Sequence, residues 1–565
     1  MDKLYSDGLR FVDGQGRTRI FNGMNIQEKQ GGRARLGYDL DEAFFEKFAA
    51  RGMNLIRLAV VWENLEPRPG QYNESYLRSI DEVFDRAVRY GVYIFLDLHQ
   101  DLYGDMGMGD GADGAPQWAQ LTGGAKPRRV KFVWSENYIL SKAVRRCFDN
   151  FWANASVPEG HGAHRQGLQD HFAALWAMLA RRYGNHPALF GFDFLNEPFS
   201  GSDALRTAVA GLGGLFKTLL FSRDVKTGRL LADLLRGNIP GALGQLSAKV
   251  MRQITGAADK SVRRFDVEKL GPFQRKMGTA VRGETPGGFL ILGQSIFCSW
   301  GIPFGGPAVG VGGRRDPNQC YAPHAYDLLV ETPGMNKYSG NERVGGFFSV
   351  IADTQERLQM PVVVGEWGGG GNDEHGWFGH ARFLRDFFDE RQWSQTYWCY
   401  REGLLDSPLM EEVLCRSYPQ AVAGRVESYA HCDKSFTLEF TQGPEDSTES
   451  LLYLHRPFTQ IECGGAWEIA QKFENGACVL RLKTEPGRHR VKILFEESKT
   501  YELHSDQFQR MDVPGCFRLR HRQQNHDLPC GPGRFSHCPG AADRPCGRQP
   551  CHLLRNGGGR GGLRG

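Results

Sequence analysis

The chain has 565 residues, 41% hydrophobic and 24% charged, with 69 Lys and Arg against 65 Asp and Glu. This is a globular composition, long enough for one large domain and a smaller one. A net charge of +4, with no basic stripe interleaved with aromatics, excludes a nucleic-acid partner.

The N-terminal stretch "MDKLYSDGLRFVDGQGR" is polar and lacks the apolar centre of a secretory signal. The expected location is cytoplasmic or peripheral to a membrane, or secreted if the N-terminus is incomplete. No apolar run is expected to reach the length of a transmembrane helix. Eight short β-rich runs then follow. They are "IFNGMNI" (20–26), "NLIRLAV" (54–60), "YIFLDLH" (93–99), "LFGFDFLNE" (189–197), "GFLILGQ" (288–294), "CYAPHAY" (320–326), "PVVVGEW" (361–367) and "SQTYWCY" (394–400). Helical stretches such as "DEAFFEKFAARG" and "YLRSIDEVFDRAVRYG" lie between them, each with a glycine near its end. Strands alternating with helices in this way predict an α/β fold, a (β/α)₈ TIM barrel over 1–424. Between the fourth and fifth strands an apolar insertion at about 208–258 places Leu and Phe at helical spacing with Lys and Arg among them. It reads either as an amphipathic helix packed on the barrel or as a membrane-surface element. After the barrel, alternating runs such as "SFTLEFTQ" and "HRVKILFEE" predict a small antiparallel β-sandwich over 425–510. Residues 511–565 are rich in Cys, Pro, His, Arg and Gly and cannot bury a core; they read as disorder or as a slipped reading frame. Eight cysteines between Cys147 and Cys478 show no metal-ligand spacing and read as free thiols of a reducing compartment.

In a barrel of this kind, reactive groups sit at the C-terminal ends of strands. Strand four ends in Asn196 and Glu197, strand seven in Glu366. One strand-terminal glutamate is as readily a cap as a catalyst. Two of them, as "NEP" and "GEW", match the acid and nucleophile of glycosidic-bond cleavage. Arg57, His99, His324, Tyr326 and Trp398 are placed at the ends of strands two, three, six and eight. Arg57 and Tyr326 suit an ionised Glu366, apolar walls suit a protonated Glu197, and Trp398 suits a sugar-stacking floor. The mechanism calls for no cofactor, and no metal ligand set is evident.

The order Arg57, His99, Asn196-Glu197, His324/Tyr326, Glu366, Trp398 resembles glycoside hydrolase family 5 of clan A, from about residue 20 to 402. "LDLHQDLYGD", "GDGADGAPQWA", "DNFWAN" and "YAPHAYD" resemble its endoglycoceramidase and glucocerebrosidase-like members in particular. The resemblance implies Glu197 as acid/base and Glu366 as nucleophile, with Lys29 and Asp101 contacting the first sugar. It implies a retaining β-glycosidase acting on the sugar–lipid bond of glycosphingolipids. The alternatives are an intracellular β-glucosidase on glucosylceramide or a steryl glucoside, and a cellulase-like endo-β-glucanase. The partner is then a glycolipid or β-glucoside, with membrane-surface contact through 208–258. A non-catalytic carbohydrate-binding barrel would have no need of both glutamates.

Overall fold

The computed structural model describes residues 1–27, 29–107, 112–128, 134–157, 166–332 and 334–496. The tail expected at 511–565 lies outside the described residues, as do five of the cysteines; the eight between Cys147 and Cys478 are free thiols.

The eight expected runs are the strands of a parallel barrel: Asn22–Gln27, Leu55–Val61, Tyr93–His99, Leu189–Asp193, Phe289–Gly293, Gln319–Ala322, Val363–Val364 and Ser394–Tyr397. They pair in chain order, and the eighth returns to the first, Gln395 opposite Asn22. Strands six and seven meet only at the bridges Tyr321–Val362 and His324–Glu366, so the seam closes beside the candidate nucleophile. Every residue of Leu55–Val61 and Tyr93–His99 is buried. That is why these strands read as continuous apolar runs: side chains fill the interior and helices cover the outside. In helix Glu74–Arg89, Leu77, Ile80, Phe84 and Ala87 recur at helical spacing and form its buried face. The Asn73 side chain accepts from the Tyr76 amide at 3.1 Å to start this helix, and Gly91, at φ +68°, follows its end.

The barrel floor is closed by the chain's own start. Strands Leu4–Asp7 and Arg10–Asp13 form a hairpin whose Phe11 ring packs 5.9, 5.4 and 5.2 Å from those of Phe21, Phe190 and Phe289. This aromatic plug belongs to a separate cluster of buried residues that includes Leu55, Tyr93 and Phe95. Its last strand, Thr18–Arg19, pairs with Tyr418–Val422. The resulting seven-stranded sheet continues through Glu449–Leu454, Cys478–Lys483 and Ala466–Lys472. A second sheet holds Arg425–Cys432, Ser435–Gln442, Gly487–Phe495 and Phe458–Glu462. The boundary expected at residue 425 is therefore displaced. The sandwich takes Tyr418–Val422 and the first nineteen residues as well, because the hairpin that plugs the barrel also supplies strands to the sheet. Met1–Ser498 is one compact unit.

The connection from strand four to strand five is a run of helices, among them Ala204–Phe221, Thr227–Leu235, Ala248–Thr255 and Gly271–Arg282. One stretch, Gly201–Phe221, is long and apolar enough to cross a membrane by length and composition, which corrects the expectation that no such run exists. Thr207, Gly214 and Thr218 are buried on one of its faces.

Candidate active site

Glu366 lies two residues beyond strand seven, with a donor on each carboxylate oxygen. Arg57 Nη1 donates to Oε1 at 2.6 Å and the Tyr326 hydroxyl donates to Oε2 at 2.7 Å. A carboxylate held in this way is oriented for attack, as a nucleophile must be. Burial, reinforced by the Glu366 charge, pushes the Tyr326 hydroxyl well above the usual tyrosine range, so it remains a donor. Gly365 leaves room for the neighbouring ring: a Cβ there would lie 2.7 Å from His324 Nε2.

Glu197 follows strand four in the left-handed region, at φ +40°, where few residues other than glycine sit. That turn places Oε1 3.2 Å from His324 Nδ1. Burial pushes the Glu197 carboxyl up; the Glu366 charge adds to this and His324 opposes it. A carboxyl that keeps its proton longer beside an anionic partner is the pairing an acid and a nucleophile require. Oxygens of Glu197 and Glu366 and a His324 nitrogen all lie within 4.8 Å of one another. Inverting pairs stand roughly 6.5–9.5 Å apart and retaining pairs about 5–5.5 Å. The geometry belongs to the retaining class.

Arg57 is the third residue of strand two rather than its end, and it points into the barrel. Its guanidinium meets Asp97 at 3.1 Å, Asp193 at 3.0 Å and Glu366 at 2.6 Å. It also donates to Asn25 Oδ1 at 3.0 Å and Asn196 Oδ1 at 2.9 Å. Three carboxylates thus share one buried cation, and burial pushes Asp193 up to about 6 against the pull of Arg57. Asn196 is in turn held at the Gln100 carbonyl, 3.3 Å away, with its amide nitrogen 3.4 Å from His99 Nε2.

On the other side of the mouth, Lys29 pairs with Asp101 and stands 5.1 Å from the centre of the Trp398 ring. His99 stacks on the same ring at 5.4 Å and 16°. Burial alone would lower the His99 pKa, but Asp97, 2.7 Å from Nδ1, and Asp101 raise it to about 10. All ten residues expected from the sequence therefore converge: Glu197, Glu366, Asn196, Arg57, His324 and Tyr326 around the acid pair, with Lys29, His99, Asp101 and Trp398 beside them.

Sequence reasoning missed Asp97, Asp193, Asn25 and Asp113. The signal for the first two was present, since each interrupts an apolar strand, in "FLDLH" and "GFDF". Asp113 exchanges backbone hydrogen bonds with Asp101, and burial with the Asp101 charge pushes it up to about 7. Among the described residues, two triplets bring ligand-type atoms close enough for an ion: His99, Asp101 and Asp113, and Glu197, His324 and Glu366. In both, a cation of the chain already meets a carboxylate, Lys29 at Asp101 and Arg57 at Glu366.

The family model described as Cellulase (glycosyl hydrolase family 5) matches residues 12–213. An endoglycoceramidase of Hydra vulgaris is 25% identical over 503 residues, 79% of each chain. A glucosylceramidase of Rhizopus delemar is 29% identical over 181 residues, 28% of this chain and 26% of that protein. In fold, the chain is similar to endo-glycoceramidase II from Rhodococcus sp. in its lactosyl-enzyme intermediate, with a TM-score of 0.64, 20% identity, and coverage of 87% of this chain and 100% of that one. With the two glutamates placed as the mechanism of such enzymes requires, the chain is similar to glycosyl hydrolase family 5 over residues 12–213 and shares its barrel fold with the endo-glycoceramidase.

Proposed function

We propose that this protein is a retaining β-glycosidase that cleaves the bond between sugar and lipid in glycosphingolipids. The observation that carries the reading is the Glu197–Glu366 pair, within 4.8 Å, one oxygen-rich end held by Arg57 and Tyr326 and the other beside His324. Glu366 attacks the anomeric carbon while Glu197 gives its proton to the departing lipid oxygen. Glu197, now ionised, takes a proton from water, which releases the sugar from Glu366. Arg57 and Tyr326 hold the attacking oxygens in line, and no step calls on another group. The lactosyl-enzyme intermediate of the Rhodococcus protein supports the covalent step, and the endoglycoceramidase from Hydra supports the substrate class.

The likeness to a glucosylceramidase favours a second reading, a β-glucosidase that removes one glucose from glucosylceramide or a steryl glucoside. On either reading the enzyme works at a membrane surface, in contact with it through the 208–258 insertion. A panel of lactosylceramide, a ganglioside, glucosylceramide, a steryl glucoside and cello-oligosaccharides, with products resolved by length, separates the two. Intact oligosaccharide from the longer glycolipids is the expected product. Glucose from the one-sugar lipids alone would replace the first reading by the second. Cleavage of cello-oligosaccharides with all lipids left intact would overturn both.

A further inference from the structure

The helices after Glu197 leave an apolar face uncovered. On Ala204–Phe221, Leu205, Val209, Leu212, Phe216 and Leu220 are exposed, from 42% at Leu205 to 72% at Leu220. Spacings of three and four residues line them up on one side of the helix. The opposite side is committed. Thr207, Gly214 and Thr218 are buried there, and a Cβ on Gly214 would lie 2.2 Å from the Ile254 carbonyl oxygen of helix Ala248–Thr255. Small residues seat the helix, so its large residues are turned outward by construction. The next helix, Thr227–Leu235, adds Leu231, Leu234 and Leu235, the last 89% exposed. Single exposed leucines are ordinary on a protein surface; a contiguous set of this extent marks a contact.

The charge around this face is predominantly positive. Residues 204–239 contain six Lys and Arg and two Asp. Asp224 is taken by Lys249 at 3.0 Å, and Asp233 by Asn238 and Gln245. Among the described residues no carboxylate lies within ion-pair distance of Lys217, Arg223, Lys226, Arg229 or Arg236. Two such faces would repel each other, which argues against a second copy of the chain. Leu205 stands eight residues beyond Glu197, on the connection that leaves the catalytic end of strand four. The segment Ile296–Trp300, after strand five, presents Trp300 at 41% exposure at the same end of the barrel. Tryptophan with an apolar body and a polar edge is suited to the headgroup boundary.

We propose that helices Ala204–Phe221 and Thr227–Leu235 form an interfacial anchor that lies in the headgroup region of bilayers carrying anionic lipid and holds the catalytic mouth against the membrane. The purpose, though not the binding, rests on the glycolipid reading above, since an insoluble substrate must be met at its surface. The committed face of Ala204–Phe221 keeps that helix packed on helix Ala248–Thr255, so it lies on the bilayer and does not cross it.

The test uses the full chain and sucrose-loaded vesicles free of glycolipid, of phosphatidylcholine with or without phosphatidylserine. Sedimentation with the phosphatidylserine vesicles is expected, weakening as salt rises. Leu212→Ser/Phe216→Ser/Leu220→Ser should abolish it, and Arg223→Gln or Arg229→Gln should each lower partitioning about 5-fold. Hydrolysis of a soluble aryl glycoside should stay at the wild-type level in all of these, which reports an intact barrel. Wild-type sedimentation of the triple variant would overturn the proposal. Equal binding to both vesicle types would overturn its anionic component. A concentration-dependent dimer, lost in the triple variant, with no vesicle binding would assign the face to self-association instead. Glycolipid cleavage in detergent without vesicle binding would sink the anchor and leave the proposed function standing; vesicle binding without any glycolipid cleavage would do the reverse.

Discussion

Replacing Arg57 by methionine keeps most of the side-chain volume and removes the charge on which three buried carboxylates converge. At an effective dielectric of about 20, a pair ~3 Å apart gains roughly 5 kcal/mol, and Arg57 makes three such pairs, with Asp97, Asp193 and Glu366. The loss is smaller than that sum, because uncompensated carboxylates take up protons instead of staying charged. Breaking a buried pair from one side costs about 3–5 kcal/mol, and that is the expected loss at pH 8. The sign of its pH dependence follows from Asp193. Its folded pKa is already raised to about 6 with Arg57 in place and rises further without it, whereas an unfolded aspartate titrates near ~3.9. Between those values the folded chain binds more protons than the unfolded one, so stability falls as pH rises. The deficit against wild type should be small near pH 5 and full at pH 8. Urea unfolding at both pH values, followed by tryptophan fluorescence, measures it. A deficit at pH 8 under about 1 kcal/mol, or one larger at pH 5 than at pH 8, would refute the shared-cation account.

Two further outcomes follow from the acid pair. Glu197→Gln should lower turnover of a glycolipid by about 10²–10⁴, the range of one general acid, but much less for a dinitrophenyl glycoside, whose leaving group needs no proton; Glu366→Gln should fail on both. Equal rescue of the two variants by the activated substrate would exchange or void the roles. His324→Ala removes a group that holds the Glu197 carboxyl down against burial, so the basic limb of kcat/KM for a soluble aryl glycoside should move to higher pH. A limb that stays in place or moves down would show that His324 does not act through Glu197.

The strands were legible because burial on both faces writes continuous apolar runs, and the acid pair because charged groups at the ends of such runs are conspicuous. Asp97, inside its strand, and Asp193, the last residue of its own, were as conspicuous in principle, but only the closed barrel shows that both point at Arg57. Trp398 beside Lys29 and His99 depends on the barrel closing strand eight onto strand one, which no local pattern encodes. The sandwich boundary was misplaced for the same reason: Thr18 and Arg19 find their partners at Val422 and Ala421, about four hundred residues away. The periodicity of 204–221 showed a helix with an apolar side. It did not show which side faces out, because Thr207, Gly214 and Thr218 look unremarkable until Ile254 is placed against them.

The hairpin under the barrel has a temporal cost. Phe21 is anchored to Ser394, 373 residues later, and Arg19 to a strand later still. At about 5–20 residues per second, a ribosome needs roughly 20–75 s to deliver those partners. Until then the first strand has an open edge, and the Phe11 plug has only part of the ring of strands it seals. The nascent chain is therefore sticky at its beginning and cannot finish its first barrel strand before its last barrel strand emerges. Any nonsense change between the barrel and Tyr418 would damage the oldest part of the protein, the hairpin, by withholding the newest.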